Sequence, residues 1–246
     1  MAILEIQGLC KTYPAFRLDN VSFSVEPGSI MGLIGRNGAG KTTTMKSILH
    51  IVHPDAGTIR YFGLDFAGHE AEIKQRIGFA GGAADYYKRK KISQLLDVTR
   101  RFYDNWDETA CEQYLKAFSL DPEKTPAQLS EGMKVKLSLT LALSHRAELL
   151  ILDEPTSGLD PVSREELLES FRFLQDRGVA ILFSTHITSD LEKCADHITY
   201  ISKGRCLASE PMAQFLERHR QAGRGSTLDE IMVHYEKESL YDTLSV

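Results

Sequence analysis

Residues 35–42 read Gly-Arg-Asn-Gly-Ala-Gly-Lys-Thr and fit the pattern GxxxxGK[ST]. An apolar run, Ser29 to Ile34, precedes this octet, and Lys41 to Ile51 follows without a helix breaker. The spacing predicts a strand, a glycine-rich loop and a helix in direct succession. Glycines let the backbone curl so that successive N–H groups face phosphate oxygens. The start of the helix adds its positive dipole end. The candidate nucleotide-binding residues are therefore Asn37, Gly38, Ala39, Gly40, Lys41, Thr42 and Thr43. Lys41 can neutralise β- and γ-phosphates, and the Thr42 hydroxyl can hold Mg²⁺. Such a loop alone does not separate kinases, GTPases, helicases and transport ATPases.

Leu149-Leu150-Ile151-Leu152-Asp153-Glu154 supplies a second element. A buried strand can deliver Asp153 beside the phosphate loop, where it can bind Mg²⁺ through water. Glu154 follows at once and can orient or deprotonate an attacking water.

The remaining chain alternates apolar strands and helices. Strands are expected at Ile3 to Ile6, Val21 to Val25, Thr58 to Phe62, Val179 to Ser184 and Ile198 to Ile201. Arg164 to Asp176 reads as a helix closed by Gly178. Between residues 83 and 145 the pattern turns helical, with Leu95, Leu96, Thr99, Phe102 and Tyr103, then Ala110, Tyr114, Leu115 and Phe118. Ser130 to Ser144 is apolar enough for burial on most sides. This alternation argues for a parallel α/β core. In the tail, Ser226 with Asp229 and Thr227 with Glu230 carry a capping-box pattern. Leu228, Ile231, Met232 and Tyr235 form one apolar face, suited to packing or to a partner.

Composition excludes several classes. Lys plus Arg number 29 against 34 Asp plus Glu, a net charge of −5. That balance argues against a nucleic-acid partner. No apolar run reaches the ~18 to 20 residues that span a bilayer, and Met1 to Gly8 does not read as a signal peptide. Cys10, Cys111, Cys194 and Cys206 form no CxxC pair, so buried free thiols are expected.

Together these residues resemble the ATP-binding subunits of ABC transporters, from Tyr13 to about Gly204. Leu129-Ser130-Glu131-Gly132-Met133 is similar to the family signature LSGGQ. Ser157-Gly158-Leu159-Asp160 is similar to the loop after the catalytic carboxylate. Thr185-His186 resembles the family's switch histidine. Tyr13 stands where the family stacks an aromatic on adenine.

The resemblance implies an α/β P-loop NTPase core with a parallel sheet. It adds an antiparallel β subdomain on the N-terminal side and an inserted helical subdomain. One cassette would occupy residues 1–246: a core at 1–82 and 146–210, a signature-bearing helical part at 83–145, and a tail at 211–246. Two ATP-binding subunits, identical or paralogous, would sandwich two ATP molecules head to tail. Ser130 and Gly132 of one would bind the γ-phosphate held by the other, and Asp160 would bridge the halves. Glu154, His186 and Lys41 would be catalytic, and Thr42 and Asp153 would hold Mg²⁺. A separate transmembrane permease would be the partner, placing the chain in the cytoplasm, peripheral on the inner face of the membrane. The signature resembles exporter-type systems for drugs, peptides or similar small molecules.

The sequence departs from the family at three places. Gly82 stands about where a Gln or Glu is usual. Either Asp85 substitutes, or the loop is a hinge, or hydrolysis is slow; the glycines favour a hinge. Glu131 puts a negative charge near the incoming triphosphate, and Met133 lacks a polar contact, so a tuned site is expected. The basic run Tyr87-Lys88-Arg89-Lys90-Lys91 reads as a solvated loop or as a surface facing anionic headgroups or an acidic coupling segment. A weakly hydrolysing, soluble nucleotide-binding regulator is the alternative function, motivated by Gly82.

Overall fold

The computed structural model describes residues 1–81 and 89–244. Gly82, Asp85, Tyr87 and Lys88 lie outside the described residues. Ten strands and nine α-helices are assigned among the described residues.

Strand β1 (Leu4–Tyr13) buries Leu4, Ile6 and Leu9 while its intervening residues face outward. It pairs antiparallel with β2 (Phe16–Val25) and with β4 (Ala56–Tyr61), and short β5 (Leu64–Asp65) completes a four-stranded sheet in the order β2-β1-β4-β5. Alternation of this kind suits a sheet with one buried face.

The second sheet has six strands in the order β10-β9-β3-β8-β7-β6. Strands β3 (Ile30–Ile34), β6 (Ile77–Gly81), β7 (Leu149–Asp153), β8 (Ala180–Thr185) and β9 (His197–Ser202) run parallel. All residues of β3 and β8 are buried, as expected where helices cover both faces. The expected parallel core is thus present, with one addition: edge strand β10 (Arg205–Pro211) runs antiparallel to β9.

Three apolar clusters hold these layers. One lies between the two sheets, joining Leu4, Leu9 and Val25 to Met31, Leu33 and Leu182, with Met45 and Ile48 of α1 (Lys41–Ile48). A second covers the other face of the six-stranded sheet, using α6 (Pro161–Gln175), α7 (Thr188–Cys194), α8 (Met212–Gln221) and α9 (Leu228–Leu244). A third holds α3 (Ile92–Thr99) and α4 (Glu108–Ala117) against α5 (Glu131–Leu143) through Leu95, Cys111, Leu137 and Leu141. Helix α5 belongs to two clusters at once, because Val135, Leu139 and Leu143 face the sheet side. That explains its burial on most sides.

Several boundaries differ from the sequence reading. Helix α1 ends at Ile48, because His50 takes a left-handed backbone with φ 53°. Helix α6 starts at Pro161, ahead of the expected Arg164, because Asp160 caps it and Pro161 suits its first position. Helix α2 (Phe66–Arg76) was not anticipated; its polar sequence buries only Ile73. Helices α7 and α8 were also missed. In the tail, Glu230 accepts from the Ser226 and Thr227 N–H groups, and its own N–H reaches Thr227 Oγ1 at 3.3 Å. Asp229 does not pair with Ser226: its Oδ1 accepts from the Thr188 hydroxyl at 2.5 Å. The four cysteines are free thiols; Cys111 and Cys194 are buried, Cys10 and Cys206 half-buried. Burial pushes the Cys194 thiol up to about 12.

Candidate active site

The parallel sheet delivers its C-terminal strand ends to one place, the usual ligand edge of an open α/β sheet. Strand β3 runs into the loop 35–40 and α1 begins at Lys41. Gly40 caps α1 in a left-handed backbone, φ 117°, without a side-chain cap. A Cβ there would lie 2.9 Å from Phe16 Cζ, so both the turn and the close approach of the β2 ring require glycine. The first-turn N–H groups of α1 are left open to an anion.

A cavity of about 620 Å³ opens over this loop. Its walls include Gly38, Lys41, Thr42, Thr43, Glu154 and His186. Lys41 is only 5% exposed; its ammonium donates to the Gly35 carbonyl at 2.7 Å and stands 3.3 Å from Glu154 Oε1. His186 Nδ1 donates to Glu154 Oε2 at 2.8 Å. One carboxylate therefore holds a lysine on one oxygen and a histidine on the other.

Strand β8 sets this carboxylate. The Glu154 N–H donates to the Ser184 carbonyl at 3.2 Å and to Ser184 Oγ at 3.0 Å. The Ser184 hydroxyl donates in turn to Asp153 Oδ1 at 2.5 Å. Glu154 itself has φ 51°, a left-handed conformation that costs a non-glycine residue roughly 1 kcal/mol or more. Such backbones persist where neighbours over-determine them, and Ser184 provides that hold. Ser184 was missed by sequence reasoning; it is one more apolar-strand residue until the pairing Asp153↔Ser184 is known.

The pattern of the ABC transporter family matches residues 18–157. The chain belongs to the ABC transporter family. Among curated relatives, the bacitracin transport ATP-binding protein BcrA of Bacillus licheniformis is 34% identical over 223 residues, covering 89% of this chain and 73% of that protein. A Nod factor export ATP-binding protein I of Burkholderia pseudomallei is 36% identical over 223 residues, covering 88% and 73%. A solved ATP-binding subunit of an ABC transporter superposes with a TM-score of 0.83 at 31% identity, covering 94% of this chain and 98% of that one. The cbiO1 subunit of Clostridium perfringens shares the fold, with a TM-score of 0.76 at 22% identity. The chain is an ABC ATPase, an ATP-binding subunit.

The remaining sequence-predicted residues of this ABC ATPase fall in three places. Asn37, Gly38, Thr42 and Thr43 line the cavity, and Asp153 ends β7 beside it. Tyr13 does not line it; the hairpin pairs Tyr13 with Phe16, and Ala15 and Phe16 form that wall. Phe16 was missed because the sequence offers two aromatics at one turn and only the register separates them.

Ser130 and Gly132 lie at the start of α5. Ser130 Oγ caps the helix, accepting from the Met133 N–H at 3.2 Å. A Cβ on Gly132 would lie 2.9 Å from Ser163 Oγ, so the signature helix packs tightly on the start of α6. Asp160 caps α6 and accepts from the Ser163 hydroxyl at 2.6 Å, which holds its carboxyl below the usual range. Glu131 is paired with Lys134 at 2.5 Å. Met133 packs against the helical cluster.

The donor set fits Mg²⁺. Among the described residues no group of three or more His, Cys, Asp or Glu could hold a metal alone. Mg²⁺ takes one or two protein oxygens and completes its shell with water and phosphate. The Thr42 hydroxyl and Asp153 supply oxygens of that kind. Gly81, the last residue of β6, pairs with Asp153 of β7.

Proposed function

We propose that this ABC ATPase pairs with a second ATP-binding subunit, identical or paralogous, and drives a separate membrane permease that exports a drug, peptide or similar small molecule. The observation that carries the reading is the Lys41–Glu154–His186 constellation inside one cavity with the phosphate loop.

The open N–H groups of α1 and Lys41 would bind the phosphates, and Thr42 with Asp153 would hold Mg²⁺. The metal would supply charge neutralisation between the phosphates. Glu154 would accept a proton from, or orient, the attacking water, and His186 would hold the γ-phosphate side of the site. Ser184 keeps Glu154 in place throughout. Ser130 and the N-terminus of α5 would complete the site of the second subunit, and Asp160 would lie at the shared boundary. The Tyr13–Phe16 hairpin would carry the aromatic contact to the base.

A surface groove of about 360 Å³ supports the permease as partner. It lies between core and helical subdomain and is lined by Leu49, Phe66, Ile77, Phe79, Tyr103 and Leu141. Phe79 in its lining is exposed, a setting that suits an apolar docking element. Among the described residues no helix is long and apolar enough to cross a membrane. Arg89 and Lys90 are exposed, whereas Lys91 is paired with Glu123 at 2.6 Å.

The reading is tested by size-exclusion of the Glu154→Gln chain with and without Mg-ATP, and by co-purification with a co-expressed polytopic permease from the same genome. Expected are an ATP-dependent dimer and a stable complex. A chain that stays monomeric with Mg-ATP would count against the paired site.

A further inference from the structure

The first turn of the tail helix α9 is fastened to the segment that follows His186. Thr188, two residues after His186, opens α7 and donates its hydroxyl to Asp229 Oδ1 at 2.5 Å. One turn later on the same short helix, Glu192 Oε1 accepts from the Leu228 N–H at 2.6 Å. Beneath these two bonds Leu228 and Ile231, 1% and 0% exposed, share a cluster with Leu191 and Cys194 of α7.

Helix α7 has seven residues, too few to hold its own geometry, so its placement depends on such contacts. Between β8 and α7 lie only His186 and Ile187. The Ile187 N–H is held by Thr185 Oγ1 at 3.0 Å, and the Asp190 N–H by the Ile187 carbonyl at 3.2 Å. The turn carrying His186 is thus rigid at its β8 end and set by α9 at its α7 end. The far end of the arrangement is anchored as well: Tyr235 donates to His219 Nε2 at 2.9 Å, and its ring meets Tyr200 of β9 edge-on.

We infer that Asp229 and Thr188 are positioning residues, through which the tail helix fixes His186 against Glu154. The inference rests on the proposed role of His186 in hydrolysis. A tail that shifts or is drawn aside would release the histidine without disturbing the phosphate loop, so turnover and nucleotide binding separate.

The test uses the full chain and steady-state ATP hydrolysis. Asp229→Ala and Thr188→Val should each lower kcat about tenfold, the scale of a misplaced catalytic group, and leave KM for ATP within about twofold. Thr188→Ser should restore kcat. Val233→Ala, on the exposed side of α9, should match the native chain. Histidine-selective ¹⁵N NMR should show a displaced His186 side-chain resonance in Asp229→Ala at unchanged melting temperature. If Asp229→Ala folds poorly, the near-isosteric Thr188→Val carries the test. Native kcat in Thr188→Val, with His186→Ala impaired, would overturn the inference alone. Native kcat in His186→Ala would overturn both the inference and the proposed role of the histidine.

Discussion

Lys41 Nζ stands 3.3 Å from Glu154 Oε1, so the loop cation and the carboxylate that follows β7 face each other in the cavity. The lysine also holds the Gly35 carbonyl, which gives its loop a fixed shape. Removing this donor removes charge-assisted bonds to phosphate, worth about 1.5–3 kcal/mol. Lys41→Ala should weaken ATP binding by at least about tenfold, measured by titration calorimetry. An unchanged affinity would show that the helix N-terminus alone holds the phosphates.

Phe16, rather than Tyr13, borders the cavity, and its ring end lies against Gly40. Phe16→Ala should weaken ATP binding more than Tyr13→Ala, by about 1 kcal/mol, the scale of an aromatic contact. The comparison is read directly from the two dissociation constants. A larger loss in Tyr13→Ala would return the base contact to the outer residue.

These two cases mark what the sequence discloses. The strand, loop and helix around Lys41 were legible because local periodicity and glycine placement encode them. Asp153 and Glu154 were legible because an apolar run ends in acids. Phe16 and Ser184 were not, since each acquires its place from strand register with a distant partner. Helix α2 escaped because it buries one residue and so leaves no apolar stripe. Asp229 had a local capping role available in the sequence, and the tertiary contact with Thr188 replaced it.

Glu131 sits in the signature turn with its carboxylate on Lys134. The pair is exposed and screened, so its charge is muted rather than cancelled. Glu131→Gly should raise the apparent ATP affinity in turnover assays a few-fold, by removing like-charge repulsion. The gain should shrink at high salt. An affinity that does not move would remove the tuning role.

His145, at the end of α5, stacks on Tyr103 at 3.7 Å and bonds the Ile77 carbonyl at 3.1 Å. Burial lowers its pKa below the ordinary value of 6.5. A base whose folded pKa is depressed supports stability above its unfolded pKa and loses that support as pH falls through the folded value. His50, stacked on Phe66 and lowered by burial, acts with the same sign. Melting temperature should therefore fall as pH drops below about 6.5, with a shallower slope in His145→Gln. Equal slopes in the two proteins would exclude His145 as a contributor.

In the proposed mechanism Glu154, its backbone held by Ser184 and its carboxylate flanked by Lys41 and His186, activates the water that cleaves ATP. The most direct measurement compares steady-state ATP hydrolysis and ATP binding in the native chain and Glu154→Gln. The substitution keeps the size, leaves one acceptor oxygen and removes the base. The account predicts turnover lower by about 100-fold or more with ATP affinity retained. Turnover equal to that of the native chain would contradict it.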